Sequence, residues 1–264
     1  MNRLDGHRIL VTGAASGIGQ ATALRLLAEG AAVVGADISE EGLEKTRAQA
    51  AEAGSDARLS TLTMNVGDEA SVADGVRSAV DTLGGLDSLV NAAGILRAAH
   101  THEMSLAAWN QIIGVNLTGT FLVVREALPA LLANPSSTVV NFSSTSAAFA
   151  HPYMAAYAAS KGGIQSFTHA IALEYGKRGL RAVCVAPGSI KSGITDATGG
   201  YLPADTDWSL LAKLSPILPA TSSLESGAPM ADPAVVAGVV AMLVSDDGAF
   251  ITGTEIRIDG GTHT

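Results

Sequence analysis

The sequence predicts an α/β protein, a doubly wound parallel sheet with helices on both faces, folded as a single domain over residues 1–264. Three observations predict it. Short β-branched runs alternate with longer Ala/Leu/Glu-rich segments of helical spacing, the pattern of repeated βα units. A glycine-rich turn, TGAASGIG at residues 12–19, joins the first such run to the first helical segment. The 264 residues, 47% of them hydrophobic, suffice for one large core, and no Pro/Gly-rich linker or shift in composition divides them.

Taken in order, the first strand is RILVT (8–12). The first helix runs from Gly17 to about Glu29, with Ile18, Ala21, Leu24, Leu27 and Ala28 at helical spacing and Gly30 as its stop. Further strands are AAVVGAD (31–37), ARLSTLTM (57–64), LDSLVN (86–91), STVVNFSS (137–144), RAVCVAP (181–187) and TEIRID (254–259). Helical segments lie between them, one beginning near Ala155. In such sheets ligands bind beyond the carboxyl ends of the strands, where the strand order reverses. Chemistry is therefore expected in TGAASGIG, at Asp37, in NAAG (91–94), in SSTS (143–146) and in PGSIKS (187–192). The interval 192–233 is different in kind. It carries Pro203, Pro216, Pro219 and Pro229, and only DWSLLAKL (207–214) looks helical, so it reads as a substrate-binding loop insertion.

A net charge of −9 without any basic run argues against nucleic acid or an anionic membrane as partner. The start MNRLDGHRIL has no apolar signal region, and runs such as VVAGVVAMLV are too short to span a bilayer. A cytoplasmic protein with a small-molecule substrate is expected. The single cysteine, Cys184, sits inside RAVCVA and reads as a core thiol, so no disulfide forms within the chain. The histidines of HTH (100–102) lack nearby cysteine or carboxylate ligands in a compact pattern, and no metal site is expected.

Glycines at a strand-to-helix turn let backbone N–H groups approach an anion, and the helix dipole favours negative charge there. The anion expected is a phosphate. The spacing Gly13, Gly17, Gly19 is G-x-x-x-G-x-G, which does not match the G-x-G-x-x-G dinucleotide fingerprint. Asp37, about twenty residues further on, strengthens the nucleotide reading because its carboxylate can accept both hydroxyls of an adenosine ribose. The same carboxylate would repel a 2′-phosphate. Like charges about 4 Å apart cost roughly 1 kcal/mol in water and about 4 at an effective dielectric near 20, one to three decades of affinity. Neither Ile38 and Ser39 nor Ala15 and Ser16 supply a compensating cation, so NAD is expected over NADP.

YAASK places Tyr157 and Lys161 four residues apart, on one face of the helix that begins near Ala155. A tyrosine hydroxyl can move the proton that accompanies hydride transfer at a secondary alcohol carbon if its pKa falls from about 10, and a neighbouring ammonium favours the phenolate. Ser144, thirteen residues before Tyr157, can hydrogen-bond the reacting oxygen. Together with the glycine turn, Asp37, NAAG, Asn116 in NLTGTF and the Pro187–Gly188 pair, these motifs resemble the short-chain dehydrogenase/reductase family over nearly the whole chain.

The resemblance implies a Rossmann-like fold and a catalytic set of Asn116, Ser144, Tyr157 and Lys161, with Lys161 also binding nicotinamide ribose hydroxyls and Asn116 holding a proton-relay water. It implies cofactor contacts at Gly13, Ser16, Gly17, Ile18 and Gly19, at Asn65 and Val66, at Asn91, Ala92 and Gly94, and at Pro187, Gly188, Ile190 and Ser192. Where Ser192 stands the family more often has threonine, and where Asn65 stands it often has aspartate. Both replacements retain a hydrogen-bonding group for the same contact. The family's substrate pocket maps onto Leu96, Ser144, Thr145, Phe149, His151, Met154, Ile194, Tyr201 and Trp208, a mostly apolar set suited to an apolar, alicyclic or steroid-like alcohol or ketone. Reduction of 3-oxoacyl thioesters would use the same catalytic residues and is the alternative. A non-catalytic NAD-binding regulator is a more remote one, since fold alone does not establish function. FITGTEIRIDGG (250–261) resembles the family's last strand and tail, which commonly help form a homotetramer.

Overall fold

The computed structural model describes residues 2–198, 200–223 and 229–263. Its frame consists of β1 (Arg8–Thr12), α1 (Gly17–Ala28), β2 (Ala32–Asp37), α2 (Glu40–Glu52), β3 (Leu59–Thr63), α3 (Glu69–Leu83) and β4 (Ser88–Asn91). After these come α4 (Leu106–Ile113), α5 (Gly119–Leu131), β5 (Ser137–Phe142), α6 (Ala155–Tyr175) and β6 (Leu180–Pro187). The chain continues through α7 (Gly193–Thr198), α8 (Trp208–Leu211), β7 (Ser222–Ser223), β8 (Pro229–Met230), α9 (Pro233–Val244) and β9 (Glu255–Ile258).

Seven strands form one parallel sheet in the order β3-β2-β1-β4-β5-β6-β9. Every residue of β4 and of β5 is buried, as expected of parallel strands covered on both faces. Two apolar cores result. One packs α1, α2 and α9 on one face through Leu26, Leu43 and Val240; the other packs α3, α5 and α6 on the opposite face through Val76, Val123 and Ile171. The strand order reverses between β1 and β4, so a crevice opens at their carboxyl ends.

Cys184 is fully buried, and burial pushes its thiol up to about 11, consistent with an inert core residue. The stretch Leu106–Leu131 is long and apolar enough by composition to cross a membrane, but here it packs on α3 and α6 as a core element. A π-helical turn at Gly114–Thr118 joins α4 to α5 and carries Asn116. Between Ser192 and Pro233 the structure adds α7 and the antiparallel β7–β8 pair to the helix expected at DWSLLAKL. Helix α7 escapes an apolar-periodicity reading because a polar device starts it: the Thr195 N–H donates to Ser192 Oγ at 3.3 Å.

Candidate active site

The turn between β1 and α1 has glycine wherever a side chain would collide. A Cβ at Gly13 would lie 2.7 Å from the Ala93 nitrogen, one at Gly17 would lie 2.9 Å from Ser192 Cβ, and one at Gly19 would strike the Gly13 carbonyl oxygen. The chain at 13–19 is therefore pressed against NAAG on one side and against the start of α7 on the other. Ser16 makes no side-chain cap, and the first N–H groups of α1 face the crevice with the positive end of the helix dipole. This cradle fits the pyrophosphate of a dinucleotide.

Asp37, at the carboxyl end of β2, is held in place by two backbone donors. Ala15 N–H donates to Oδ2 at 3.1 Å and Ser39 N–H to Oδ1 at 2.9 Å. Each oxygen keeps a second lone pair for a ribose hydroxyl. Ile38 beside it is 66% exposed and offers no charge. Asn65 Oδ1 accepts the Gly67 N–H at 3.0 Å, a local turn that likewise leaves one acceptor position.

Tyr157 and Lys161 occupy the first turns of α6, and Ser144 follows β5. Lys161 Nζ donates to the Phe142 carbonyl at 2.8 Å and stands 5.5 Å from the Tyr157 ring centroid. Burial dominates the electrostatics of both groups. It pushes the Tyr157 hydroxyl up to about 12 against a lowering hydrogen bond with Ser144, and it pulls the Lys161 ammonium down to about 8. The lowering of Tyr157 by Lys161 expected from the YAASK spacing is not what the structure gives: burial raises the hydroxyl and the Ser144 hydrogen bond opposes it. Lys161 is buried, and its ammonium is directed at a carbonyl rather than at the phenol.

One cavity of about 820 Å³ contains this machinery, the glycine cradle and Asp37. All the expected cofactor positions line it except Asn91, whose side chain points into the sheet and donates to Asn141 Oδ1 at 2.9 Å. Asn116 is also absent from its wall. Its Oδ1 accepts the Ile95 N–H at 2.8 Å, and its Nδ2 donates to the Ile95 carbonyl and to Ser160 Oγ. Buried with both amide functions engaged, the Asn116 side chain ties the loop after β4 to α6.

Of the expected substrate positions, Leu96, Ser144, Thr145, His151, Met154, Ile194 and Trp208 line the cavity. Tyr201 does not, because its ring lies under the Arg97 guanidinium, 4.4 Å from the centroid. Phe149 also stays off the wall, stacked on His263 with centroids 4.3 Å apart. His263 itself does line the cavity, as do Gln111, Leu202, Leu211, Leu214 and Met230. Sequence reasoning missed these residues because they come from segments without a motif. The segment 200–214 is fastened over the cavity by His100 Nε2 on Asp205 at 2.8 Å and by the Asp207 N–H donating to Tyr153 Oη at 2.9 Å. His100 is thus engaged with the Asp205 carboxylate, and among the described residues no group of three or more His, Cys, Asp or Glu is placed to hold a metal.

A parallel sheet with a nucleotide cradle at its switch point and a Ser–Tyr–Lys cluster beside it defines a class of dinucleotide-using enzyme. A family model described as short chain dehydrogenase matches residues 7–200. The chain is 35% identical over 260 residues to 2,5-dichloro-2,5-cyclohexadiene-1,4-diol dehydrogenase LinX of Sphingobium indicum, covering 98% of this chain and 97% of the relative. It is also 35% identical to 3-oxoacyl-[acyl-carrier-protein] reductase FabG of Thermotoga maritima, covering 98% of each. Among solved structures it resembles levodione reductase, with a TM-score of 0.88, 31% identity and 98% of both chains covered. A short chain dehydrogenase from Burkholderia cenocepacia in complex with NADP matches at a TM-score of 0.85 and 29% identity over the whole of both chains. The chain belongs to the short chain dehydrogenase family. It is an oxidoreductase acting on CH–OH groups, and its family binds a nicotinamide cofactor.

Proposed function

We propose that the protein interconverts a secondary alcohol and a ketone with NAD as the hydride carrier, on apolar substrates of alicyclic or steroid-like form. The observation that carries this reading is the single cavity joining the Gly13–Gly19 cradle and Asp37 to Ser144, Tyr157 and a largely apolar wall. When bound there, the nicotinamide accepts or supplies the hydride. Ser144 Oγ hydrogen-bonds the substrate oxygen, and Tyr157 Oη takes the alcohol proton in oxidation or returns it in reduction. Lys161 balances the phenolate charge and binds ribose hydroxyls, while Asn116 holds the Ile95 backbone that borders the site.

The NAD preference rests on charge. Asp37 faces the ribose position, and Lys161 is the only Lys or Arg among the described residues lining the cavity. A 2′-phosphate at the ribose would meet a carboxylate without a compensating cation. The segment 192–233 is read as the substrate-binding insertion of a single domain, because Ile194, Leu202, Trp208 and Leu211 from it line the cavity. A homotetramer is the proposed assembly, supported by the full exposure of Phe250 and the 87% exposure of Leu173. The proposed location is the cytoplasm.

The similarity to a 3-oxoacyl-[acyl-carrier-protein] reductase supports a second reading, reduction of 3-oxoacyl thioesters at the same site. A non-catalytic regulator is disfavoured, since it would need no Ser144, Tyr157 and Lys161 gathered on one wall. The test is Tyr157→Phe. Turnover should fall by roughly 10²–10⁴-fold with dinucleotide binding retained; unchanged turnover would remove Tyr157 from the mechanism.

A further inference from the structure

After β9 the chain turns at Asp259–Gly261 and brings His263 onto the wall of the catalytic cavity. The turn is built in detail. Gly261 N–H donates to Asp259 Oδ1 at 3.0 Å, His263 N–H donates to Oδ2 at 3.2 Å, and the Gly260 carbonyl accepts the N–H groups of Ile217 and Leu218 at 2.9 Å each. The His263 ring stacks on Phe149 and lies 5.6 Å from the nearly parallel His151 ring. Arg257 covers Phe149, its guanidinium carbon 4.9 Å from the ring centroid. Asp259 thus anchors both the backbone and the side chain of His263.

The chemistry of this arrangement is specific. His263 Nδ1 lies 3.3 Å from Asp259 Oδ2; in the neutral imidazole a carboxylate partner fixes the proton on that nitrogen and leaves Nε2 as an acceptor. His151, beside it, has one ring nitrogen engaged with Thr145 Oγ1 at 3.2 Å, and burial with the neighbouring His263 holds it down to about 4, neutral at physiological pH. The cavity that these two imidazoles line has a largely apolar wall, which includes Leu96, Met154, Ile194, Leu202 and Leu211. A polar atom in such surroundings stabilises a ligand that satisfies it and penalises one that leaves it unpaired.

We propose that His263 is a specificity-determining residue whose Nε2 accepts a hydrogen bond from a second hydroxyl on the substrate, so that alicyclic diols are preferred over the corresponding mono-alcohols. This rests on the reading of the site as one for alicyclic alcohols. Asp259 is its positioning residue, acting only through His263.

The test compares kcat/KM for cyclohexane-1,4-diol and cyclohexanol in the full chain, in His263→Phe, which keeps the stack and removes the acceptor, and in His263→Gln, which keeps an acceptor. The diol preference should fall about tenfold or more in His263→Phe and be partly retained in His263→Gln, with the KM for NAD unchanged. Equal changes for both alcohols, or none, would overturn the proposal. Imidazole NMR signals, followed as cyclohexane-1,4-diol is added in the presence of NADH, give a readout that needs no turnover. A shift of the His263 signal with the diol but not with cyclohexanol supports the proposal; a signal that does not move with the diol overturns it. Absence of wild-type turnover on every secondary alcohol would instead count against the alicyclic reading, and the NMR result would still decide the part played by His263.

Discussion

Tyr157 and Lys161 face opposed demands. Burial disfavours the phenolate and the ammonium alike, whereas a charge on either side chain would favour the opposite charge on the other. The first proton to leave should do so near about 8, where burial has pulled Lys161. Oxidation requires a deprotonated base and reduction a protonated acid. We therefore expect kcat/KM for alcohol oxidation to rise with pH through that range and kcat/KM for ketone reduction to fall, measured by initial rates between pH 6 and 10. At Asp37, replacement by serine removes the repulsion of a 2′-phosphate. The ratio of KM values for NADP and NAD should move toward NADP by one to three decades. Tyr157, Ser144, Lys161 and Asp37 were legible because spacing on one helix or at a strand end fixes where a side chain sits. The inward turn of Asn91 and the engagement of Asn116 with Ile95 were not, because partners distant in sequence decide them.

At the level of elements, the β1–α1 turn depends on backbone proximity. Gly19→Ala would force a methyl group into the Gly13 carbonyl, so dinucleotide binding measured by calorimetry should be lost, with a lower melting temperature. The start of β1 is tied to the start of β4 by Arg8, whose backbone N–H, Nε and Nη2 all donate to the Asp87 carboxylate at 2.7–2.9 Å. Burial raises the Asp87 carboxyl, but the bonds from Arg8 outweigh it and the net shift is downward. A depressed carboxylate contributes stability above its unfolded pKa and loses it as pH falls through the folded value. Asp87→Asn should lower stability by about 1–3 kcal/mol at pH 7 and by less in acid, read from urea midpoints at both pH values. Strands and the first helix could be read from apolar periodicity. Helix α7 and the turn that presents His263 could not, since side-chain caps and stacked rings specify them rather than a hydrophobic pattern.

For the molecule as a whole, the sheet order determines the position of the site. Reversal between β1 and β4 opens the crevice, α1 directs its N-terminus into it, and α6 sets Tyr157 and Lys161 against the end of β5. The sequence made this architecture readable because repeated βα units allow few alternatives. The rest of the cavity wall was less readable, since it also takes residues from the segment 200–214 and from the chain after β9, regions that no local motif connects. If Phe250 and Leu173 lie in subunit contacts, light scattering should give the mass of four chains, and Phe250→Asp should reduce it. The reaction proposed is an NAD-dependent exchange of alcohol and ketone at Tyr157. Its most direct test is the initial rate, followed by nicotinamide absorbance, for cyclohexanol, cyclohexanone and a 3-oxoacyl thioester with NAD(H) and with NADP(H). Turnover of the ring alcohol and ketone with a clear preference for NAD(H) is expected. Faster thioester reduction with NADPH would contradict both the substrate class and the part assigned to Asp37.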